Sequence, residues 1–223
     1  MPFRHEWKHE INLSDMISLR HRLQAVAMLD SHAVDGKYEI RSLYFDNFMD
    51  KALREKLDGV KDREKFRIRY YNGDTSCIHL EKKFKSNNLS SKTNAILSAQ
   101  EAQAIVDGDY DWMLTHENSL VHELYTKITA QGLRPKTIVD YTREPYIYPP
   151  GNVRVTMDYN IRTGLFSTNF LDPQCPSVPV PDSPIILEVK WDEWLPDIIR
   201  DAIQLQGRRC SAFSKYAACR MYD

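Results

Sequence analysis

Apolar and polar residues alternate with a period of two through eight stretches of the chain: 3–12, 38–46, 64–72, 77–85, 91–97, 135–144, 152–162 and 185–191. Such alternation predicts strands with two unlike faces. Within Arg63 to Gly73, Phe66, Ile68 and Tyr70 fall on one side, and Lys65, Arg67, Arg69 and Tyr71 on the other. Helical spacing takes over elsewhere. Ser14 is placed to cap a helix to about Leu29 whose apolar face carries Met16, Ile17, Leu19, Leu23 and Val26. Ser98 and Glu101 form a capping box for a helix to about Val106, and Asn118 opens another to about Ala130. Weaker helical patterns occupy 49–57, 197–206 and 212–221. Eight strands with a handful of helices predict an α+β fold: an antiparallel eight-stranded β-barrel with flanking helices. The stretch 171–184 holds five of the 11 prolines and reads as an exposed or disordered loop.

Length and composition narrow the class. With 223 residues, 42% hydrophobic and 27% charged, the chain is expected to form one domain over 1–223 with a sizeable core. No run approaches the roughly 20 apolar residues of a membrane span, and "MPFRHEWKHEI" lacks the apolar region of a signal peptide. Cys77, Cys175, Cys210 and Cys219 are scattered without metal-site spacing, as expected of reduced thiols in a cytoplasmic protein. A net charge of −1 argues against a nucleic-acid coat.

The distribution of charge says more than its sum. "IHLEKKF" groups His79, Glu81 and Lys83 on one face, "VRVTMDY" groups Arg154, Thr156 and Asp158, "ILEVKW" groups Glu188 and Lys190, and "VDYTREPY" sets Tyr141 beside Arg143. One charged face alone would be a half-buried strand facing water. Five together, biased to Lys and Arg while acids gather in segments such as "DGDYD", concentrate positive charge on one surface of the sheet. If the sheet closes with its apolar side outward under the helices, Arg and Lys line a lumen that repels itself unless it holds a polyanion. Glu81 and Asp158 then read as salt-bridge partners. Glu188 reads either as another or as a ligand for a divalent cation bridging phosphate oxygens.

"HEWKH", His5 to His9, matches the HExxH zinc-protease pattern. The pattern binds metal only on a helix. Here it lies in an alternating segment, where the two imidazoles would stand roughly 13 Å apart, and Lys8, between Glu6 and Glu10, is expected to face the lumen.

The charged first strand, "RSLYFDN", "RIRYY", "LEKK", "YTREPY", "VRVTMD", "LEVKW" and a late "FSKY" resemble, in order and across nearly the whole chain, the polyphosphate-polymerase (VTC) domain of the triphosphate tunnel metalloenzymes. The resemblance implies a basic eight-stranded tunnel that transfers the terminal phosphate of ATP to a growing polyphosphate chain with Mn²⁺ or Mg²⁺. By the same resemblance, the phosphate-binding cations are Lys8, Arg67, Arg69, Lys83, Lys92, Arg143, Arg154 and Lys215, with Tyr141 and Ser214 as hydrogen-bonding companions. Glu188 matches the metal-binding glutamate, and Lys190 shares its face. The related triphosphatase and cyclase branch has ExExK in its first strand, whereas Lys8 here stands between the two glutamates, which favours the polymerase branch. Implied partners are ATP and polyphosphate, with a membrane-protein partner for product export left open. A tunnel-type triphosphate or polyphosphate hydrolase, in which Glu6, Glu10 or Glu81 positions water, and a non-catalytic polyphosphate-binding protein are the competing readings.

Overall fold

The alternating stretches join in one antiparallel sheet. A computed structural model describes residues 3–222 apart from Asn88 and Arg209. In chain order the strands and α-helices are β1 (His5–Ile11), α1 (Leu13–Val26), β2 (Met28–Leu29), β3 (Tyr38–Asp46), α2 (Lys51–Leu57), β4 (Arg63–Tyr71), β5 (Asp74–Ser86), β6 (Leu89–Leu97), α3 (Ala99–Asp107), α4 (Ser119–Gln131), β7 (Arg134–Tyr148), β8 (Val153–Thr163), β9 (Val178–Pro179), β10 (Ile185–Trp191), α5 (Asp197–Ala202) and α6 (Lys215–Cys219). The long strands are ordered β1-β10-β8-β7-β3-β4-β5-β6, while the two-residue β2 and β9 pair with β7 and β8. The sheet curls until its edges meet at a bridge, Arg4 N–H to Ser90 O at 3.1 Å and Ser90 N–H to Arg4 O at 3.4 Å. Midway along β1, Ser211 N–H donates to Lys8 O at 2.7 Å. Closure of this kind removes most of the free strand edge.

Local chemistry sets the register. Asn72 and Gly73 both have positive φ (52° and 73°) and turn β4 into β5. Asn and Gly tolerate that conformation, and its twist suits a hairpin. Asn72 also ties this turn to the neighbouring β3, because Glu39 N–H donates to its Oδ1 at 2.8 Å.

Helices α1, α3, α4 and α5 cover the outer side. Leu43 and Phe45 of β3, Phe66 and Ile68 of β4, and Ile78 and Leu80 of β5 are buried beneath α3 and α4, which contribute Ala102, Ile105, Leu124 and Ile128. A second apolar layer packs Met16, Leu19 and Leu23 of α1 and Ile199 of α5 on Val155, Met157, Leu187 and Val189. Burial of each such aliphatic side chain is worth about 1.5–3 kcal/mol.

Three expectations are corrected. The cap of α1 is Asn12, whose side chain accepts from Asp15 N–H at 2.9 Å while Asp15 accepts from Asn12 N–H at 3.0 Å. That reciprocal pair leaves Ser14 inside the first turn, and Ile17 of the expected apolar face is 46% exposed. The proline-rich stretch 171–184 is largely exposed, as expected, but ordered rather than disordered: Cys175 and Val180 are buried, β9 pairs with β8, and Val180 N–H donates to Ile161 O at 2.9 Å. Lastly, the inner side of the sheet is not charged throughout. Tyr216 and Cys219 of α6 pack there against Tyr38, Ile40, Val139, Tyr141 and Ile161. Tyr216 stacks on Tyr44 with ring centroids 5.1 Å apart. Among the described residues, no helix is long and apolar enough to cross a membrane.

Candidate functional site

Residues opposite one another in an antiparallel ladder share a face, so the register determines what the lumen contains. Tyr44 of β3, Arg67 of β4, Glu81 of β5 and Asn94 of β6 form one row. Lys65, Lys83 and Lys92 form the row on one side of it, and Ser42, Arg69 and His79 lie on the other. On β1, β10 and β8, Lys8 stands opposite Glu188 and Glu188 opposite Thr156, followed by Glu6, Lys190 and Arg154. Arg143 of β7 faces Asp158 of β8.

The side chains resolve into two linked clusters. In one, Glu81 takes Arg67 at 2.6 Å, Lys92 at 2.8 Å and Arg69 at 3.8 Å. Arg67 Nη1 also donates to Tyr44 Oη at 2.6 Å, and Arg69 donates to Ser42 Oγ at 3.0 Å and Tyr141 Oη at 2.9 Å. In the other, Asp158 receives a two-pronged Arg143 (2.6 and 2.7 Å) and Lys215 (2.5 Å). Glu188 takes Lys190 at 2.5 Å, Arg143 at 3.7 Å and Lys8 at 3.9 Å. Glu6 reaches across to Lys83 at 3.0 Å while meeting Lys8 and Lys190 at 3.6 Å each. The Tyr141 ring joins the clusters: Lys215 Nζ lies 4.6 Å, Arg143 Cζ 5.5 Å and Arg69 Cζ 5.7 Å from its centroid, distances at which the ring face attracts a cation.

These clusters are not charge-balanced. Lys8, Lys65, Arg67, Arg69, Lys83, Lys92, Arg143, Lys190 and Lys215 surround Glu6, Glu81, Asp158 and Glu188. The carboxylates are held ionised. Burial alone would raise them, but Arg67 keeps Glu81 and Lys190 keeps Glu188 well below the usual range, and Arg143 brings Asp158 down to about 2. The surplus shows elsewhere. Burial pushes Lys83 down to about 7 and Lys65 to about 8, with only partial relief from Glu6 and from Tyr44 respectively. Burial would raise the Tyr44 phenol, yet Arg67, Lys65 and Arg69 bring it down to about 7. A polyanion in this lumen would relieve all three.

The family model for the VTC domain matches residues 3–222. The chain belongs to the VTC domain family. Among solved structures, a candidate adenylyl cyclase from Hippeastrum, HpAC1, described as having a dominant triphosphatase activity, matches this VTC domain with a TM-score of 0.58. Identity is 15%, and the match covers 99% of this chain and 96% of that one. A candidate adenylate cyclase from Bacillus halodurans matches with a TM-score of 0.50 at 14% identity, over 85% of this chain and 80% of that one. What these structures share with the VTC domain is its fold, a curled antiparallel eight-stranded sheet flanked by helices. No curated protein matches the sequence.

Lys8, Arg67, Arg69, Lys83, Lys92, Tyr141, Arg143, Glu188, Lys190 and Lys215 of the VTC domain converge as described. Two other expected site residues point their contacts elsewhere. Arg154 turns to Asp30, 3.0 Å away. The Ser214 hydroxyl caps α6 by accepting from Ala217 N–H at 3.4 Å, and so holds the helix that carries Lys215. Glu6 is the main addition: it reaches the cations that surround Glu188. Lys65 and Tyr44 are further additions, and all three lie on the face that alternation assigns to the lumen. The HExxH match is strand β1, with His5 stacked on Trp191 at 5.3 Å.

No group of three or more His, Cys, Asp or Glu side chains able to hold a metal occurs among the described residues. A protein cage is therefore absent there. Glu6 and Glu188, set diagonally across β1 and β10 and sharing Lys8 and Lys190, form a two-carboxylate set. Such a set suits Mg²⁺ or Mn²⁺, which binds through one or two carboxylates with phosphates and water supplying the rest.

Proposed function

We propose that this VTC domain is a polyphosphate polymerase, which binds the triphosphate of ATP in the lumen and transfers its terminal phosphoryl group to the end of a polyphosphate chain. The observation that carries the reading is the surplus of cations, most of them half-buried, over carboxylates in the lumen, with Lys83 and Tyr44 both brought to about 7. Phosphoryl transfer is catalysed chiefly by positioning and by charge stabilisation. Arg67 and Arg69 present two guanidinium forks from one strand, suited to bidentate contact with phosphate oxygens. Lys8, Lys83, Arg143 and Lys215 would neutralise the remaining oxygens as phosphates displace the carboxylates that now occupy them.

An ionised terminal oxygen of the acceptor chain attacks the γ-phosphorus, the bond from that phosphorus to the β–γ bridging oxygen breaks, and ADP leaves with the electron pair. The acceptor has no proton to lose, so no general base is needed. Glu188 and Glu6 would hold a divalent cation that neutralises phosphate oxygens as charge develops. The test is incubation with ATP and Mn²⁺ or Mg²⁺. Long-chain polymer is the expected product; orthophosphate alone would assign a tunnel hydrolase, and neither product a binding protein.

A further inference from the structure

The cationic face extends past the rows that carboxylates neutralise. Along the ladder of β4 with β5, Arg67 stands opposite Glu81, then Lys65 opposite Lys83, then Arg63 opposite Lys85. Like charges directly opposite are destabilising, and here they occur in two successive rows. Lys56 of α2 joins them: burial lowers its pKa, and Arg63, Lys8 and Lys85 lower it further. Lys85 is lowered by burial and then by Arg63. Lys56, Arg63, Lys65 and Lys85 are all half-buried. Among the described residues none of the four forms an ion pair, although Arg67, Lys83 and Lys92 beside them all do. The Arg63 side chain donates to a backbone carbonyl, that of Val60. Rows on one face are about 6.6 Å apart, so the track runs on roughly 13 Å from the Arg67 row to the Arg63 row.

We propose that Lys56, Arg63, Lys65 and Lys85 form a second polyanion subsite, which holds phosphate units of a linear chain beyond those gripped in the neutralised clusters. It rests on the reading of the lumen as a phosphoryl-transfer site and makes these residues determinants of chain-length specificity. A triphosphate seated at Arg67 and Arg69 does not extend to Arg63 and Lys85, whereas a longer polyphosphate does. The uncompensated repulsion is then a feature of the empty protein only.

The test is the triple variant Lys56→Gln/Arg63→Gln/Lys85→Gln, titrated calorimetrically with tripolyphosphate and with size-fractionated long-chain polyphosphate at several salt concentrations. Tripolyphosphate affinity should be unchanged. Long-chain affinity should fall roughly tenfold or more, and its salt dependence should flatten by about two in the log–log slope, near 0.7 for each cation removed. Without ligand the variant should melt at or above the wild-type temperature, because glutamine keeps the packing and removes repulsion. Equal loss for both ligands, no loss for either, or a lower ligand-free melting temperature would overturn the subsite. A wild-type protein that binds neither ligand would instead overturn the proposed function.

Discussion

Glu81→Gln tests whether the lumen carboxylates stand in for phosphate. Glu81 is 2% exposed and meets Arg67, Lys92 and Arg69 at 2.6, 2.8 and 3.8 Å. The amide keeps the shape and removes the charge, leaving those three cations facing a neutral group. Removing one partner of a buried ion pair costs about 3–5 kcal/mol. At about 2–4 °C per kcal/mol for a domain of this size, the ligand-free variant should melt roughly 6–20 °C below the wild type. Phosphate should repair the loss. Tripolyphosphate at a hundredfold excess over its dissociation constant stabilises the wild type by about 2.7 kcal/mol. In the variant it no longer competes with Glu81, and a tenfold gain in affinity would add about 1.4 kcal/mol. The assay is thermal melting of both proteins with tripolyphosphate against NaCl of equal ionic strength. A variant that loses stability and gains no more from tripolyphosphate than the wild type does would refute the idea that Glu81 occupies a phosphate position.

Three further outcomes follow from the same geometry. The Lys83, Lys65 and Tyr44 values of about 7, 8 and 7 all lie below their ordinary ones, so the unfolded chain holds more protons between about pH 7 and 10. Ligand-free stability should therefore rise with pH through that window and be lost as pH falls through 8 and 7. Polyanion binding at pH 8 should take up protons, read as buffer-dependent calorimetric heat; buffer-independent heat would contradict it. Arg69→Ala should weaken ATP binding about tenfold or more, and Arg69→Lys should restore only part, since one ammonium cannot reproduce the planar fork that reaches both Ser42 and Tyr141. Full activity in Arg69→Ala would remove it from the site. Glu188→Gln should still bind tripolyphosphate without metal while losing metal-dependent synthesis by roughly 10²–10³, and near-normal synthesis by the folded variant would show that Glu188 holds no metal.

Much of this arrangement is legible in the sequence. The limits of β3 and β10 match the alternating stretches 38–46 and 185–191, because β10 sets apolar Leu187 and Val189 against Glu188 and Lys190 and β3 opens with Tyr38 and Ile40 alternating with Glu39 and Arg41. The capping residues Ser98 and Asn118 were equally plain, since each side chain satisfies an orphan amide locally. What escaped depends on distant contacts. Glu6 looked interchangeable with Glu10 by parity, and only the pairing of β1 with β10 places it among Lys8, Lys83 and Lys190. Arg154 has the right parity too, but Asp30, in the loop after β2, draws its guanidinium away. The proline-rich stretch looked disordered because its order comes from partners remote in sequence, such as Arg41, which donates to Asp172 O at 2.8 Å.

The neighbouring of β1 and β10 also governs how the protein is assembled. Lys8 and Glu6 belong to the first long strand and Glu188 and Lys190 to the last, so this half of the site cannot form until the two ends of the fold come together. Contacts of such long sequence separation are slow to form. Until they do, Lys83 lacks Glu6 and Glu188 lacks Lys8, leaving a partly folded chain with buried charge unmatched. Trp7 of β1 and Trp191 of β10 make an edge-to-face contact with centroids 4.6 Å apart, placing an intrinsic fluorophore pair on this seam. Refolding followed by tryptophan emission should therefore show a slow phase coinciding with the recovery of tripolyphosphate binding, and polyanion present during refolding should shorten it.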